Sequence, residues 1–158
     1  PFFDVYKNRN RDQNNRILGN VTLTYDPMPW LKVQTIIGAD IYSTAGNQLF
    51  HPQSNRAISS RGSIENFTEL SQLLNGQLLV TGKKSFGKIN TSLLLGTSFD
   101  DRMYSVDAIR GEQFFETDFN GINNTPPTTQ RAKNTLNMVR RQAVFGQFTA
   151  NYESFTLP

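Results

Sequence analysis

Period-two alternation of apolar and polar residues, sustained over five stretches, constrains this chain more than any other feature of its sequence. In residues 16–25, Ile17, Gly19, Val21, Leu23 and Tyr25 share one face, while Asn20, Thr22 and Thr24 take the other. In residues 30–43, Leu31, Val33, Thr35, Ile37, Ala39 and Ile41 oppose Lys32, Gln34 and Asp40. In residues 88–100, Ile89, Thr91, Leu93, Leu95, Thr97 and Phe99 oppose Lys88, Asn90, Ser92, Ser98 and Asp100. In residues 141–153, Val144, Gly146, Phe148, Ala150 and Tyr152 oppose Gln147, Thr149, Asn151 and Glu153. Residues 68–83 are less regular: Leu70, Leu74, Leu78 and Val80 align, Leu73 and Leu79 fall opposite, and the leucine spacing also fits a helix. Such alternation belongs to half-buried antiparallel strands, so the expected fold class is all-β with about five long strands.

The charges sort between the faces. Arg16, Lys32, Asp40, Lys83, Lys88, Asp100, Arg141 and Glu153 all fall on the polar set. A soluble sheet with one wet face sorts its charges this way. So does a transmembrane barrel, where an Arg or Lys facing lipid at mid-depth costs about 2–4 kcal/mol and a polar lumen accepts it. The connections separate the two readings. Asp26-Pro27-Met28-Pro29 and Ser85-Phe86-Gly87 are tight turns, whereas residues 44–67 and 101–140 are long connections. Short and long alternate, as periplasmic turns and extracellular loops do. Compact soluble domains seldom carry structureless loops of such length. Strands of about 10–15 residues also suffice to cross a bilayer at a tilt. Tyr25, Trp30, Phe86, Phe99, Tyr152 and Phe155 fall at predicted strand ends, which suits a girdle of interfacial aromatics. Aromatics favour strands for packing reasons as well.

Composition narrows the function classes. No apolar run reaches the roughly 20 residues of a membrane helix. The net charge is +3 and the 16 Lys and Arg are scattered, which does not point to nucleic acid. Cysteine is absent and His51 is the lone histidine, in a loop, so thiolate chemistry and most metal or general-base chemistry are not expected. Asp100, Asp101, Asp107 and Asp118 supply oxygen ligands of the kind calcium takes, but their spacing matches no EF-hand. Asn20, Asn66 and Asn90 sit in sequons that read as chance matches, and Arg110-Gly111-Glu112 as an ordinary turn. No nucleophile, base and orienter can be assembled, so neither an enzyme nor a cofactor is expected. The chain starts at Pro1 with no signal peptide, and reads as a piece of something longer or a trimmed product.

Asn8-Arg9-Asn10-Arg11-Asp12, the run Arg16-Ile17-Leu18-Gly19-Asn20-Val21-Thr22-Leu23-Thr24-Tyr25, and Pro29-Trp30-Leu31-Lys32 resemble the mid-barrel pattern of SusC/RagA-type TonB-dependent outer-membrane proteins. Gly38-Ala39-Asp40-Ile41-Tyr42-Ser43 is similar to the end of that family's next strand. Lys83-Lys84-Ser85-Phe86-Gly87 is similar to its periplasmic turn, and Arg140-Arg141-Gln142-Ala143-Val144-Phe145-Gly146 to a strand re-entering the membrane. Glu153-Ser154-Phe155 departs from the pattern, where Lys or Asp and then Tyr-Leu is more usual. The resemblance covers residues 8–152. It implies a bacterial outer-membrane protein whose barrel has about 22 strands and a plugged lumen. Such a protein imports glycans or peptides, with a SusD-like surface lipoprotein as lid and TonB pulling on the plug. The TonB box, plug and C-terminal strand are not in this sequence, which would supply part of one barrel domain over residues 1–158.

Within that expectation, the loop at 101–140 carries the candidate substrate or lid contacts: Tyr104, Phe114, Phe115, Asp118 and Phe119, beside Asn120, Asn123 and Asn124. Exposed aromatics stack on sugars or contact proteins; the alternative is that they pack the loop onto itself or its neighbours. Lys83-Lys84 marks the periplasmic interface. Two rival readings are a siderophore-type TonB-dependent receptor, lacking the lid, and a soluble β-sandwich or small barrel that binds carbohydrate or protein. Against the second, no second layer is evident to cover the apolar face, and a five-stranded piece leaves two unpaired edges.

Overall fold

A computed structural model of the chain describes residues 2–57 and 59–152; Glu153, Ser154 and Phe155 lie outside the described residues. A short helix α1 (Phe2–Lys7) precedes five strands: β1 (Arg9–Met28), β2 (Leu31–Phe50), β3 (Ser63–Phe86), β4 (Ile89–Glu112) and β5 (Arg131–Tyr152). They form one antiparallel sheet in the order β1-β2-β3-β4-β5. The region of ambiguous leucine spacing is strand throughout, within β3.

The strands hold 20 to 24 residues, longer than the alternation predicts. The long connections shrink accordingly, to residues 51–62 and 113–130, and the tight turns to Pro29-Trp30 and Gly87-Lys88. Short and long connections still alternate. The extra strand residues hide from pattern reading because both faces are polar there, as in Arg9-Asn10-Arg11-Asp12-Gln13-Asn14-Asn15. The turn chemistry is local. Gly87 has φ +60°, the residue and sign that the first central position of a II′ hairpin requires. Pro29 pre-sets φ for its turn, two residues after Pro27.

The chain divides into two units. The turn unit comprises Leu18–Asp40, Leu73–Arg102 and Val139–Pro158; the loop unit comprises Pro1–Ile17, Ile41–Gln72 and Met103–Met138. In the turn unit, the only buried positions among the described residues are glycines: Gly38, Gly76 and Gly96. Each faces a side chain from the adjoining strand. A Cβ on Gly76 would run into the Phe99 ring, one on Gly96 into Phe145, and one on Gly38 into Asn75. These contacts fix which residues share a face. Gly76 and Phe99 lie on the apolar face, as do Gly146 and Leu95, while Gly38 and Asn75 lie on the polar one. The Ser85 hydroxyl donates to Asn90 Oδ1 at 2.6 Å, again on the polar face. The expected face assignment therefore holds across β2 to β5 of this unit.

Among the described residues, no layer covers that apolar face. Val21, Leu23, Ile37, Leu95 (52% exposed), Phe99, Val144 (87%) and Phe148 all stand open. Left in water, each forfeits about 1 kcal/mol or more of burial, and together on the order of 10 kcal/mol. That rivals the whole stability of a typical domain, about 5–15 kcal/mol. Among the described residues, the buried apolar side chains, Leu49, Ala57, Ile64 and Val106, belong to the loop unit.

Gly76→Val should force the Phe99 ring off its seat and destabilise the folded sheet by about 1–3 kcal/mol. Gly82→Ala, where an added Cβ meets nothing within 4 Å, should be nearly neutral. The midpoint of thermal unfolding of the full-length protein, followed by its electrophoretic band shift, distinguishes the two.

Candidate functional site

The loop unit holds the built part of the molecule. Its two loops are stitched together where they leave the strands. The Gln113 N–H donates to the carbonyls of Ser60 and Gly62 at 2.9 and 3.1 Å, and the Phe114 N–H to that of Arg61 at 3.1 Å. Arg61, Gly62 and Gln113 take positive φ at this crossing. A Cβ at Gly62 would strike Phe114 and Pro52, so the close approach needs glycine.

Asn124 organises the longer loop from inside. It is 3% exposed. Its Nδ2 donates to the carbonyls of Glu116 and Phe119, both at 2.6 Å, and its Oδ1 accepts from the Glu116 N–H at 2.9 Å. Thr125, also buried, donates through its hydroxyl to the Ile122 carbonyl at 2.7 Å. Thr129 Oγ1 lies 2.6 Å from the Glu112 carbonyl, tying the loop back to the end of β4. A buried amide with these three bonds is a clamp, because each group left unpaired would cost about 1–3 kcal/mol.

The helix α1 is pinned to both loops. Asp4 Oδ1 accepts from the Asn55 N–H at 3.3 Å, and Asn8 Oδ1, just past the helix, from the His51 N–H at 2.8 Å. Lys7 Nζ lies 3.5 Å from Asp118 Oδ1. His51 is 4% exposed. Its Nδ1 accepts from the Gln53 N–H at 3.2 Å, which leaves the ring proton on Nε2, 4.0 Å from Asp118 Oδ1. Burial, and then the Lys7 charge, pull the His51 pKa below 6.5 against the opposing pull of Asp118. The folded form therefore holds a neutral imidazole near pH 7.

The residues singled out from sequence divide here. Phe114 is half-buried against Gly62 and packs its loop onto the neighbouring 51–62 loop. Phe115 (68% exposed) and Phe119 present open rings, and Asp118 lies beside them with Lys7. Tyr104 is not in the loop; the longer β4 carries it. The structure adds Val5 and Tyr6 of α1, both exposed, on the helix that Lys7 ties to Asp118. Sequence reading missed that helix; Asp4 in its first turn and Lys7 in its last are the weak signal it left.

The four aspartates go to separate partners: Asp100 to Arg102 (2.8 Å), Asp101 to Arg140 (2.8 Å), Asp107 to Asn134, and Asp118 to Lys7. Among the described residues, no group of three or more His, Asp or Glu converges as a metal site.

Of the expected interfacial aromatics, Tyr25, Trp30, Phe86 and Tyr152 stand exposed at or near the turn ends of their strands, with Lys84 Nζ 5.3 Å over the Phe86 ring. Phe99 is not at a strand end. It lies mid-strand, two residues before Asp101, because β4 runs on to Glu112.

Asn124→Ala should open the 113–130 loop by about 1–3 kcal/mol, read as faster hydrogen exchange at the Phe115 and Glu116 amides. Acidification should do the same at residues 51–54. A histidine whose pKa is lowered by folding stabilises the fold above pH 6.5, and that contribution is lost as pH falls through the folded value. Exchange at the Gln53 amide should therefore be flat from pH 8 to about 6.5, after correction for intrinsic rates, and accelerate below; His51→Gln should abolish the step.

No family model and no curated protein matches this sequence. Solved structures do. The chain is similar to a chain of the RagAB peptide importer in its "closed-closed" state, at a TM-score of 0.82 and 12% identity, covering 93% of this chain and 17% of that one. It is similar also to the RagAB peptide transporter, at 0.77, and to the "open-open" state, at 0.76, both at 12% identity and covering 94% of this chain. The chain thus spans about 17% of the length of the chains it matches. The fold of this chain is the fold of one segment of the RagAB importer, as the resemblance to SusC/RagA-type proteins leads one to expect.

Proposed function

We propose that this chain is part of the wall of a SusC/RagA-type TonB-dependent transporter in a bacterial outer membrane. The observation that carries the reading is the uncovered apolar face of the turn unit, whose opposite face bears Lys32, Asp40, Lys83 and Asp100. A bilayer covers the first and a polar lumen accepts the second. Exposed outer strands β1 and β5 fit a sheet that continues into further strands. The likeness to an importer supports transport over enzymic chemistry, and the segment would act through shape and gating.

In this reading the loop unit faces the outside. Phe115 and Phe119, with Tyr104, Phe114 and Asp118, contribute to the substrate cavity or to contact with a SusD-like lipoprotein lid. The neighbours are peptide importers, which favours peptide over glycan as cargo. TonB would act through a plug outside this segment. Tyr25, Trp30, Phe86 and Tyr152 would sit at the periplasmic interface and Phe99 at the outer edge of the lipid-facing band.

The test is orientation. In a cysteine-free full-length protein, Phe119→Cys should react with a bulky polyethylene-glycol maleimide on intact cells, and Lys88→Cys only after the outer membrane is opened. Equal labelling of both on intact cells, or a full-length protein found in the soluble fraction, would contradict the proposal. The soluble result would favour a free-standing β binding module.

A further inference from the structure

Positive charge gathers in the loop unit where α1 meets the 51–62 loop. Residues 4–11 and 48–61 hold Lys7, Arg9, Arg11, Arg56 and Arg61 against the single carboxylate of Asp4. Lys7 is committed to Asp118. Arg9 and Arg56 line one cavity of about 430 Å³, which lies wholly within this unit. That volume falls in the range of small-molecule pockets, about 300–1,000 Å³. Two hydrogen bonds hold its walls: Asn8 Oδ1 accepts from the His51 N–H at 2.8 Å, and Asp4 Oδ1 from the Asn55 N–H at 3.3 Å. Arg9 directly follows Asn8 in the chain and Arg56 directly follows Asn55. The bonds that pin α1 thus also bring the two arginines to one cavity. Both arginines are exposed, and among the described residues neither guanidinium has a hydrogen bond or ion pair within the chain. Asp4 borders the cavity too, beyond ion-pair distance of either. Two like charges drawn together without a counter-charge repel, and a bound anion removes that repulsion.

We propose that this cavity binds a phosphorylated sugar, with the phosphate on Arg9 and Arg56. The proposal goes beyond the transporter reading and does not depend on it, since every residue it uses belongs to the loop unit. A guanidinium fork fits two oxygens of a carboxylate or a phosphate. One fork fills a carboxylate, whereas a phosphate has oxygens and charge enough for two. The remaining lining suits hydroxyl groups. The Asn10 and Gln48 amides both donate and accept, as sugar hydroxyls do, and Asp4 accepts from a hydroxyl but repels a second anionic group. Phe50 adds an aromatic residue of the kind that stacks on sugars. Such a ligand has two sources: a sugar phosphate free in solution, or a phosphorylated sugar carried by a lipid of the cell surface.

Calorimetric titration of the purified full-length protein with glucose 1-phosphate, glucose, inorganic phosphate and N-acetylglutamate tests the proposal, together with mass spectrometry of the lipids that copurify. Glucose 1-phosphate should bind more tightly than the other three. Arg9→Gln and Arg56→Gln should each weaken it about tenfold or more. Both side chains are exposed, so the thermal midpoint should not move. A phosphorylated glycolipid that copurifies with the parent protein, and is lost when both arginines are replaced, would support the same site and assign the lipid source. Binding of the free sugar phosphate with no such lipid would assign the soluble source. Inorganic phosphate or N-acetylglutamate binding as tightly as the sugar phosphate would overturn the proposal. So would binding untouched by both substitutions, or binding of neither the free sugar phosphate nor a glycolipid. Each of these failures leaves the transporter reading to its own orientation test.

Discussion

An apolar sheet face that no described residue of the chain covers is the constraint on which the rest of this structure depends. Val21, Leu23, Ile37, Leu95, Val144 and Phe148 stand open on one face of the turn unit, and the positions buried there are glycines. A soluble domain buries such a face under a second layer, and among the described residues this unit has none. Strand ladders satisfy the backbone within the sheet, and the alternation delivers polar side chains to the other face. The same two facts explain why every charge read from the alternation could be placed on one side.

The glycines make that sheet possible. Gly76 under Phe99 and Gly96 under Phe145 are small residues opposite large ones, one pair on each face. An aromatic ring laid over a glycine covers backbone that would otherwise be bare and permits close local packing. The loop unit solves a different problem. It must hold irregular backbone in place, and does so with buried polar groups: Asn124, Thr125 and the neutral His51. Its aromatic rings at Phe115 and Phe119 stay open while the backbone beneath them is clamped.

The five strands were legible because half-burial writes itself as period two. The legibility stopped where half-burial stops. Residues 9–15 are polar on both faces, so β1 looked shorter than it is, and Tyr104 seemed to belong to a loop when it lies on β4. The tight turns were readable from Pro29 and Gly87, whose backbones are restricted or freed by their own chemistry. The clamp at Asn124 was not, since one asparagine among Asn120, Asn123 and Asn124 becomes structural only through contacts made after the loop closes. Helix α1 left almost no pattern in six residues, and its pinning by Asn55, His51 and Asp118 comes from distant sequence.

The central claim is that one face of β4 in the turn unit meets lipid and the other meets water. Spin labels placed singly at residues 93–100 of the full-length protein in bilayers measure this directly, through relaxation by dissolved oxygen and by a water-soluble nickel chelate. Oxygen should dominate at Leu93, Leu95, Thr97 and Phe99, and the nickel reagent, or neither, at Leu94, Gly96, Ser98 and Asp100. Uniform access of the nickel reagent along the strand, with no period of two, would contradict the account.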